Sequence, residues 1–428
     1  MKKISRFLLN KSLYDHHSGA TICTEPLDIA MQPWNQKTQL TRRDALRLIS
    51  VGMLAPLLVP GCGGGSSSTP QRSIEVVKLQ PPYPGEDALR IGYLLKTWMF
   101  ESEGLSLSKI EILDAVTLHT VASFVNGVDD WPTIYKDPVR SLSYLPQSGL
   151  MNACYIPIQL KIANGSSQPE RMLHRLTLTR SGSSEPLIVD GGIFSPRYTE
   201  VPLVIPSPVK GNNLWFNNQG ENSYHFNYLA FSDGVPYAGM MFAFDSGQLN
   251  AGMTSLLRDD GSKNPLDNHA YCNYGQTVYS VADGTVVRVI DGFKDQQGNH
   301  QIWPITEENL GGNNLVIDIG GGRYAFYAHC IKGSFGNLQV GDTVRQGQAI
   351  AQLGNSGNSE APHLHFHIFE GGQDPIWSQG VPFVLRQFDA TATITATDDA
   401  KMGVTVSRYA ASQARQNVMP ERWTVFNI

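Results

Sequence analysis

Three histidines lie at alternate positions in the segment His363-Leu364-His365-Phe366-His367. Successive side chains of a β-strand point to opposite faces, so the histidines would share one face and the two apolar residues the other. Imidazole is the commonest metal ligand among side chains, and it exchanges a proton near neutral pH. The segment therefore indicates a metal site with a proton carrier beside it. The alternative is a half-exposed strand that carries histidines without using them.

Four further segments precede these histidines. They are residues 278–287, 314–318, 324–329 and 340–348. In that order and spacing, and together with the histidine segment, they resemble the lysostaphin/LytM-type zinc peptidase family, whose members cut peptide bonds in bacterial cell walls. The resemblance covers roughly residues 210–390.

The resemblance assigns roles to three of the histidines. A catalytic zinc is held by three protein ligands and keeps a fourth position for water. In this family the ligands are a His and an Asp from an early loop and the second His of His-x-His. The first His of that motif and the His of the Tyr-Ala-His strand serve the water and the transition state. The resemblance thus implies that His365 is a zinc ligand and that His329 and His363 are catalytic.

The early pair of ligands departs from the family pattern His-x-x-x-Asp. The best Asp candidate is Asp245, but Met241 stands four residues before it, and a thioether is a poor substitute for imidazole on zinc. Some members of the family draw the His from further upstream, and here that residue would be His225. A competing pair is Asp267 and His269, because counting back from the next motif places His269 in the family's Asp register.

Two side chains are candidates for supporting roles near this site. Tyr327 precedes His329 by two residues, so strand alternation places both on one face. Its hydroxyl would steady an oxyanion, or its ring would simply pack in the core; both interpretations stay open. His367 shares the face of His365 and is expected either to contact that ligand or to face solvent.

Residues 1–61 are predicted to be a leader. Arg42 and Arg43 form a twin arginine before an apolar run that is too short to span a bilayer and is typical of a secretory signal. The run ends in a segment that resembles a bacterial lipoprotein cleavage box, which implies that Cys62 becomes the lipidated first residue of the mature protein. Residues 62–73 would then be a flexible tether. The alternative is an ordinary signal peptide with an incidental cysteine.

The composition favours a β-rich globular protein. The chain has 428 residues, of which 41% are hydrophobic, with 41 Gly and 25 Pro. A net charge of −5 gives no support to a nucleic-acid partner. After removal of the leader and lipidation of Cys62, the remaining Cys154, Cys272 and Cys330 allow at most one internal disulfide, and for Cys330 we expect burial or a bond to Cys272 rather than chemistry.

Residues 74–206 consist of short alternating segments separated by turn clusters. Ile158, Leu160 and Ile162 alternate with polar residues, the period-two signature of a sheet with one buried face. We therefore expect an antiparallel β-sandwich, immunoglobulin-like in general shape, with one helix embedded at residues 89–100.

A Pro- and Gly-rich boundary separates this part from the remainder of the chain. Residues 210–390 are predicted to form an antiparallel two-sheet domain of the LytM type, as the resemblance implies. Residues 391–428 begin with an alternating stretch and are predicted to pack as a closing ribbon. The expected fold class is all-β throughout.

The function implied is that of a Zn²⁺-dependent metalloendopeptidase that hydrolyses peptide stems or cross-bridges of peptidoglycan. It would be exported and lipid-anchored to the membrane on the periplasmic side of the bacterial envelope. The strongest alternative is a non-catalytic LytM-type regulator that binds and activates cell-wall amidases. Met241 favours that alternative, whereas the intact His329, His363 and His365 disfavour it. A third interpretation, a structural wall-binding lipoprotein, predicts no zinc dependence.

Overall fold

The computed structural model describes residues 72–128, 131–136, 151–211, 214–220, 223–398 and 400–428. In that part of the chain the regular elements are β-strands and short 3-10 turns, so the predicted all-β class is confirmed. No helix among the described residues is long and apolar enough to cross a bilayer. The predicted leader, including Arg42, Arg43 and Cys62, lies outside the described residues.

The described residues of the N-terminal part form eight strands. They are β1 (Ile74–Val77), β2 (Tyr83–Pro84), β3 (Ala88–Thr97), β4 (Leu105–Asp114), β5 (Thr120–Val125), β6 (Cys154–Ala163), β7 (Met172–Arg180) and β8 (Leu187–Phe194). One antiparallel sheet joins β1, β2 and β6 to β3, and the other has the order β5-β4-β7-β8. Side chains of both sheets, such as Tyr93, Ile110 and Leu176, meet in a single buried cluster. The predicted sandwich of two antiparallel sheets is therefore present; its immunoglobulin-like character stays a prediction.

The helix predicted at residues 89–100 is wrong, because β3 occupies this segment and pairs with β6 along all ten of its residues. Side chains such as Ile91 and Tyr93 enter the sandwich core, while Leu94 enters a second core on the opposite face. A strand that is buried on both faces has a continuous apolar sequence, which periodicity cannot distinguish from a buried helix. The segment that follows β3, Phe100–Glu103, forms one 3-10 turn.

Sixteen strands follow. They are β9 (Leu203–Ile205), β10 (Trp215–Asn217), β11 (Ala230–Ser232), β12 (Val235–Tyr237), β13 (Phe244–Gln248), β14 (Thr277–Tyr279), β15 (Gly284–Ile290), β16 (Asn313–Gly320), β17 (Arg323–Cys330), β18 (Thr343–Val344), β19 (Ala349–Gln352), β20 (Leu364–Glu370), β21 (Gln379–Val381), β22 (Phe383–Asp398), β23 (Gly403–Val418) and β24 (Thr424–Asn427).

A twelve-stranded sheet organises this part of the chain. Its order is β18-β15-β16-β17-β20-β13-β10-β24-β22-β23, with β21 beside β20 and β9 beside β22. The separate pair β14–β19 covers one face of it, so that Val278 and Ile350 share a core with Leu315 and Phe366 of the large sheet. The opposite face of β20 and its neighbour β13 carries the candidate site.

The ends of this sheet come from segments distant in sequence. β9 lies within the predicted sandwich segment 74–206 and pairs in parallel with the start of β22. β22 and β23 form a long antiparallel ribbon, and β24 then inserts between β22 and β10. The C-terminal residues thus complete the sheet that supports the site.

A further core joins the sandwich to the large sheet. Leu94 of β3 packs there with Met241 and Phe242, and Met241 is only 2% exposed. Arg90 of the same strand forms an ion pair with Glu421. Met241, which occupies the usual ligand position in sequence, is therefore a packing residue between the two parts.

The three cysteines of the described chain are free and buried. Cys330 lies in the core of the large sheet, and burial raises the pKa of its thiol above the ordinary range. Of the two expectations for Cys330, burial is confirmed and the bond to Cys272 is wrong.

Candidate metal centre

Asp245 and His365 face each other on adjacent strands. They are paired residues in the antiparallel register of β13 and β20, and their neighbours Phe244 and Phe366 point into the core on the other face. His365 Nδ1 lies 2.9 Å from Asp245 Oδ1. Strand alternation therefore accounts for the placement of two polar side chains side by side over an apolar sheet.

His225 reaches the same place from a turn. Its Nε2 lies 2.9 Å from Asp245 Oδ2 and 3.2 Å from His365 Nδ1. The turn is fixed by Ser223, whose Oγ accepts a bond from the backbone N–H of Phe226, a buried residue. One donor atom from each of His225, Asp245 and His365 lies within 4.8 Å of the others.

This donor set fits zinc. Two imidazole nitrogens and one carboxylate oxygen are ligands that zinc accepts, and three protein ligands leave a fourth position for water or substrate, as catalytic zinc sites require. Asp245 and His365 are 5% and 3% exposed, so an ion held here would be largely shielded from bulk water. The residues present are therefore suitable to hold the metal that the sequence predicts.

His363 and His329 stand beside this cluster. His363 Nε2 is 3.8 Å from Asp245 Oδ2, and the rings of His329 and His363 are 4.7 Å apart between centroids. In each ring Nδ1 donates to a backbone carbonyl, that of Ser356 for His329 and that of Ala361 for His363, at 2.8 Å in both cases. With Nδ1 as the donor, Nε2 is the atom of each ring that can exchange a proton.

A β-bulge places His329 in this position. Leu315 of β16 pairs with Tyr327, but the next paired residue, Asn313, faces Cys330, so two residues of β17 oppose one of β16. His329 adopts a φ of 63°, which is uncommon for any residue except glycine. The bulge turns the His329 side chain onto the site face.

The same bulge makes the prediction that Tyr327 shares the face of His329 wrong. Tyr327 is fully buried in the core, where its hydroxyl accepts a bond from the backbone N–H of Val281 at 2.9 Å. Of the two interpretations of Tyr327, the structure supports the packed aromatic, because its hydroxyl lies on the face of the sheet opposite to the metal centre.

Two further residues form hydrogen-bonding contacts with members of the cluster. Gln219 is buried, and its Nε2 donates to Asp245 Oδ2 at 2.8 Å. His367 Nδ1 lies 2.8 Å from His365 Nε2 and is fully buried, so it contacts the ligand rather than solvent. Alternation on β20 indicated His367, whereas no sequence signal pointed to Gln219, which joins the site only through the fold.

The environment fixes the charge of these groups. Burial alone would raise the pKa of Asp245, but His225, His363 and His365 outweigh it and hold that pKa well below its usual range. Burial lowers the pKa of His365 to about 4 and takes the pKa of His329 well below its ordinary value. At neutral pH the carboxyl group is therefore ionised and these imidazoles are neutral, which is the state that metal binding requires.

The competing pair lies elsewhere. Asp267 caps the 3-10 turn Asn268–Ala270, and its Oδ1 accepts the backbone N–H of His269 at 3.0 Å. The His269 ring is exposed and packs edge-on against Tyr274, at 4.9 Å between centroids. Neither residue belongs to the cluster formed by His225, Asp245 and His365.

Residues 269–376 match a family model described as peptidase family M23. The glycyl-glycine endopeptidase ALE-1 of Staphylococcus capitis is 31% identical over 96 residues, which are 22% of this chain and 22% of that protein. Lysostaphin of Staphylococcus simulans is 32% identical over 145 residues, or 32% of this chain and 25% of that protein. The chain thus spans about a quarter of the length of the curated relatives it matches.

Parts of the chain are also similar to solved structures. The catalytic domain of the antimicrobial peptidase lysostaphin from Staphylococcus simulans matches 27% of this chain and 78% of that domain, with 25% identity and a TM-score of 0.20. A zinc-containing peptidase from Vibrio cholerae matches 69% of this chain and 82% of that protein, with 13% identity and a TM-score of 0.21. The matched family region holds His329, His363 and His365, while His225 and Asp245 precede it. Residues 269–376 are thus similar to peptidase family M23.

Proposed function

We propose that this protein is a zinc-dependent endopeptidase that hydrolyses peptide bonds in bacterial peptidoglycan. The observation that carries the proposal is the convergence of His225, Asp245 and His365, with His329 and His363 at their side. The names of the similar proteins, a glycyl-glycine endopeptidase and lysostaphin, support the same class of reaction.

The shape around the metal centre suits cleavage within a chain. Two hollows open from it, and both are lined by Tyr224, His225, His329 and Asn358. One continues past Phe216 and the other past Trp377. A peptide lying across the centre would occupy both hollows and present an internal bond to it.

The residues of the chain account for the chemistry that such a bond needs. Zinc held by the three ligands would polarise the scissile carbonyl and lower the pKa of a bound water. The Nε2 atoms of His329 and His363, whose Nδ1 atoms donate to backbone carbonyls, would take the proton from the attacking water and return it to the leaving amine. Gln219 and His367 hold Asp245 and His365 in place for this work.

The non-catalytic regulator of cell-wall amidases remains the second candidate. It was motivated by Met241 in a ligand position, but the thioether packs between the sandwich and the large sheet, and His225 supplies an imidazole to Asp245 instead. A binding module has no use for five converging ligand and proton-transfer groups, which supports the enzyme over the regulator.

The number of new amino groups in purified sacculi tests the enzyme against the regulator, because hydrolysis of each peptide bond frees one amino group. The parent protein should generate them without any amidase present, and His365→Ala should generate none and retain no zinc. Cleavage by His365→Ala would contradict the proposed metal centre. Stimulation of an added amidase by a parent that generates no amino groups alone would establish the regulator.

We further propose that the protein is exported and anchored by a lipid on Cys62, on the periplasmic side of the envelope. The support is the twin arginine, the short apolar run and the cleavage-box resemblance of the sequence. Cys62→Ser should move the protein from the membrane fraction to the soluble fraction of the envelope. Unchanged fractionation of that variant would contradict the anchor.

A further inference from the structure

One carboxyl group in the cleft does not belong to the metal centre. Glu360 lies three residues before His363 and lines the hollow that also contains Phe216, Leu256 and Pro362. It is partly buried. Because this hollow opens directly from His225 and His363, a substrate bound at the metal centre would pass the Glu360 side chain.

The loop that carries Glu360 is held on both sides of it. Before it, the backbone N–H of Asn358 donates to the carbonyl of Leu310 at 3.0 Å. After it, Ser359 Oγ and His363 Nδ1 both donate to the carbonyl of Ala361, at 2.9 and 2.8 Å. The carbonyl of Pro362 accepts a hydrogen bond from the buried Asn273 side chain at 2.6 Å. The carboxyl group is therefore presented at a fixed place relative to His363, as a residue that contacts substrate should be.

Glu360 has no cationic partner in the part of the chain that the structure describes. Among the described residues its carboxyl group has no hydrogen bond or ion pair, and the described residues that line this hollow include neither Lys nor Arg. Burial, with no compensating charge, raises the pKa of Glu360 to about 7. A partly buried carboxyl group without a partner costs folding free energy unless something else pairs with it.

The hollow on the other side of the metal centre is different. It also carries carboxyl groups, but Arg288 pairs with Asp374 there at 3.3 Å, and Trp377 Nε1 donates to Glu307 at 3.3 Å. Asp374 and Glu307 thus have donors within the protein, and Glu308, the remaining carboxyl group of this lining, is exposed to solvent. Among the described residues that line the two hollows, Glu360 is therefore the partly buried carboxyl group whose partner would have to arrive with the ligand.

We propose that Glu360 binds a protonated primary amino group of the peptide substrate, on one side of the scissile bond. The inference rests on the proposed peptidase function and narrows its substrate class to peptides with a free amine near the cut. Peptide parts of a cell wall offer such groups wherever a diamino acid side chain or an amino terminus is not cross-linked. An ammonium group would supply both the counter-charge and the hydrogen bonds that Glu360 lacks.

The test uses two forms of the same probe, soluble cross-linked peptides from digested peptidoglycan. One form is used as isolated, and in the other the free amines are acetylated. The full chain should show a kcat/KM about tenfold or more higher on the free-amine form, the effect of one charge-assisted hydrogen bond in a partly open site. Glu360→Gln keeps the shape and removes the charge, so its ratio for the two forms should fall to about one. Glu308→Gln, which removes a carboxylate from the opposite hollow, should keep the parent ratio.

Affinity for the same two probes is measured by calorimetry on the full-length His363→Ala variant, which separates binding from cleavage. A tenfold preference for the free amine that Glu360→Gln abolishes supports the inference, even if the parent cleaves neither probe and the peptidase proposal fails. Equal affinity for both forms overturns the inference while leaving the peptidase proposal intact wherever cleavage is seen. An unchanged preference in Glu360→Gln, or an equal loss in Glu308→Gln, also overturns it.

Discussion

Replacing His367 tests whether the ligand His365 depends on its buried neighbour. The two rings are joined by a 2.8 Å contact between His365 Nε2 and His367 Nδ1, and they are 3% and 0% exposed. Without a metal, His365 can keep its single proton on Nδ1 and donate it to Asp245. With a metal on Nδ1 the proton must move to Nε2, where His367 is the acceptor. His367→Phe should therefore destabilise the metal-bound form more than the metal-free form.

The size of the effect follows from that one bond. A buried donor left without a partner costs about 1–3 kcal/mol. Since 1.4 kcal/mol corresponds to a factor of ten, zinc affinity should fall roughly 5- to 150-fold in His367→Phe. Competition with a chelator of known affinity measures this change directly. His367→Glu retains an acceptor beside His365 and should bind zinc within a few-fold of the parent.

Two results would refute this reasoning. Parent-like zinc affinity in His367→Phe would mean that His365 does not need the acceptor. Equal losses in the Phe and Glu variants would mean that the effect comes from packing against the neighbouring aromatic rings of Phe326 and Phe369 rather than from the hydrogen bond.

Two further predictions concern other histidines. His363→Ala and His329→Ala should each lower cleavage roughly 100- to 10,000-fold while zinc content, measured on the same samples, stays at the parent level; loss of zinc would make them ligands. His174 in the sandwich core bonds Tyr93 and Gly192, and burial lowers its pKa to about 4. As the pH falls from 6.5 towards 4, His174 gains a proton in the unfolded chain but stays neutral in the folded protein. The free energy of unfolding should therefore decrease by up to about 3 kcal/mol over this range and be unaffected by His174 above pH 6.5. Urea unfolding of the parent should show that loss, and His174→Phe should show a smaller one; equal pH dependence in both proteins would contradict it.

Short-range patterns in the sequence predicted those parts of the site that depend on strand alternation. His365 and His367 lie on one face of β20 and Phe366 on the other, as their spacing requires. The all-β class followed from the same periodicity and from the density of turn residues. These features are local, so one sequence suffices to predict them.

The errors arose where tertiary contacts override local pattern. Burial of β3 on both faces removed the alternation that would have marked a strand, so a helix was predicted at residues 89–100. The bulge in β17 places the side chains of Tyr327 and His329 on opposite faces of the sheet, and no feature of the local sequence predicted this bulge. Gln219 reaches Asp245 across 26 residues of chain and could be found only in the folded protein.

The zinc content of the purified full chain, measured by elemental analysis beside His225→Ala and His269→Ala, tests the central claim most directly. The geometry predicts about one zinc per chain in the parent, since one cluster of three ligands is present among the described residues. It also predicts that His225→Ala loses the metal and that His269→Ala, whose ring is exposed and does not belong to the cluster, retains it. A parent that takes up no zinc, or zinc that is lost with His269→Ala and kept with His225→Ala, would contradict the proposed metal centre.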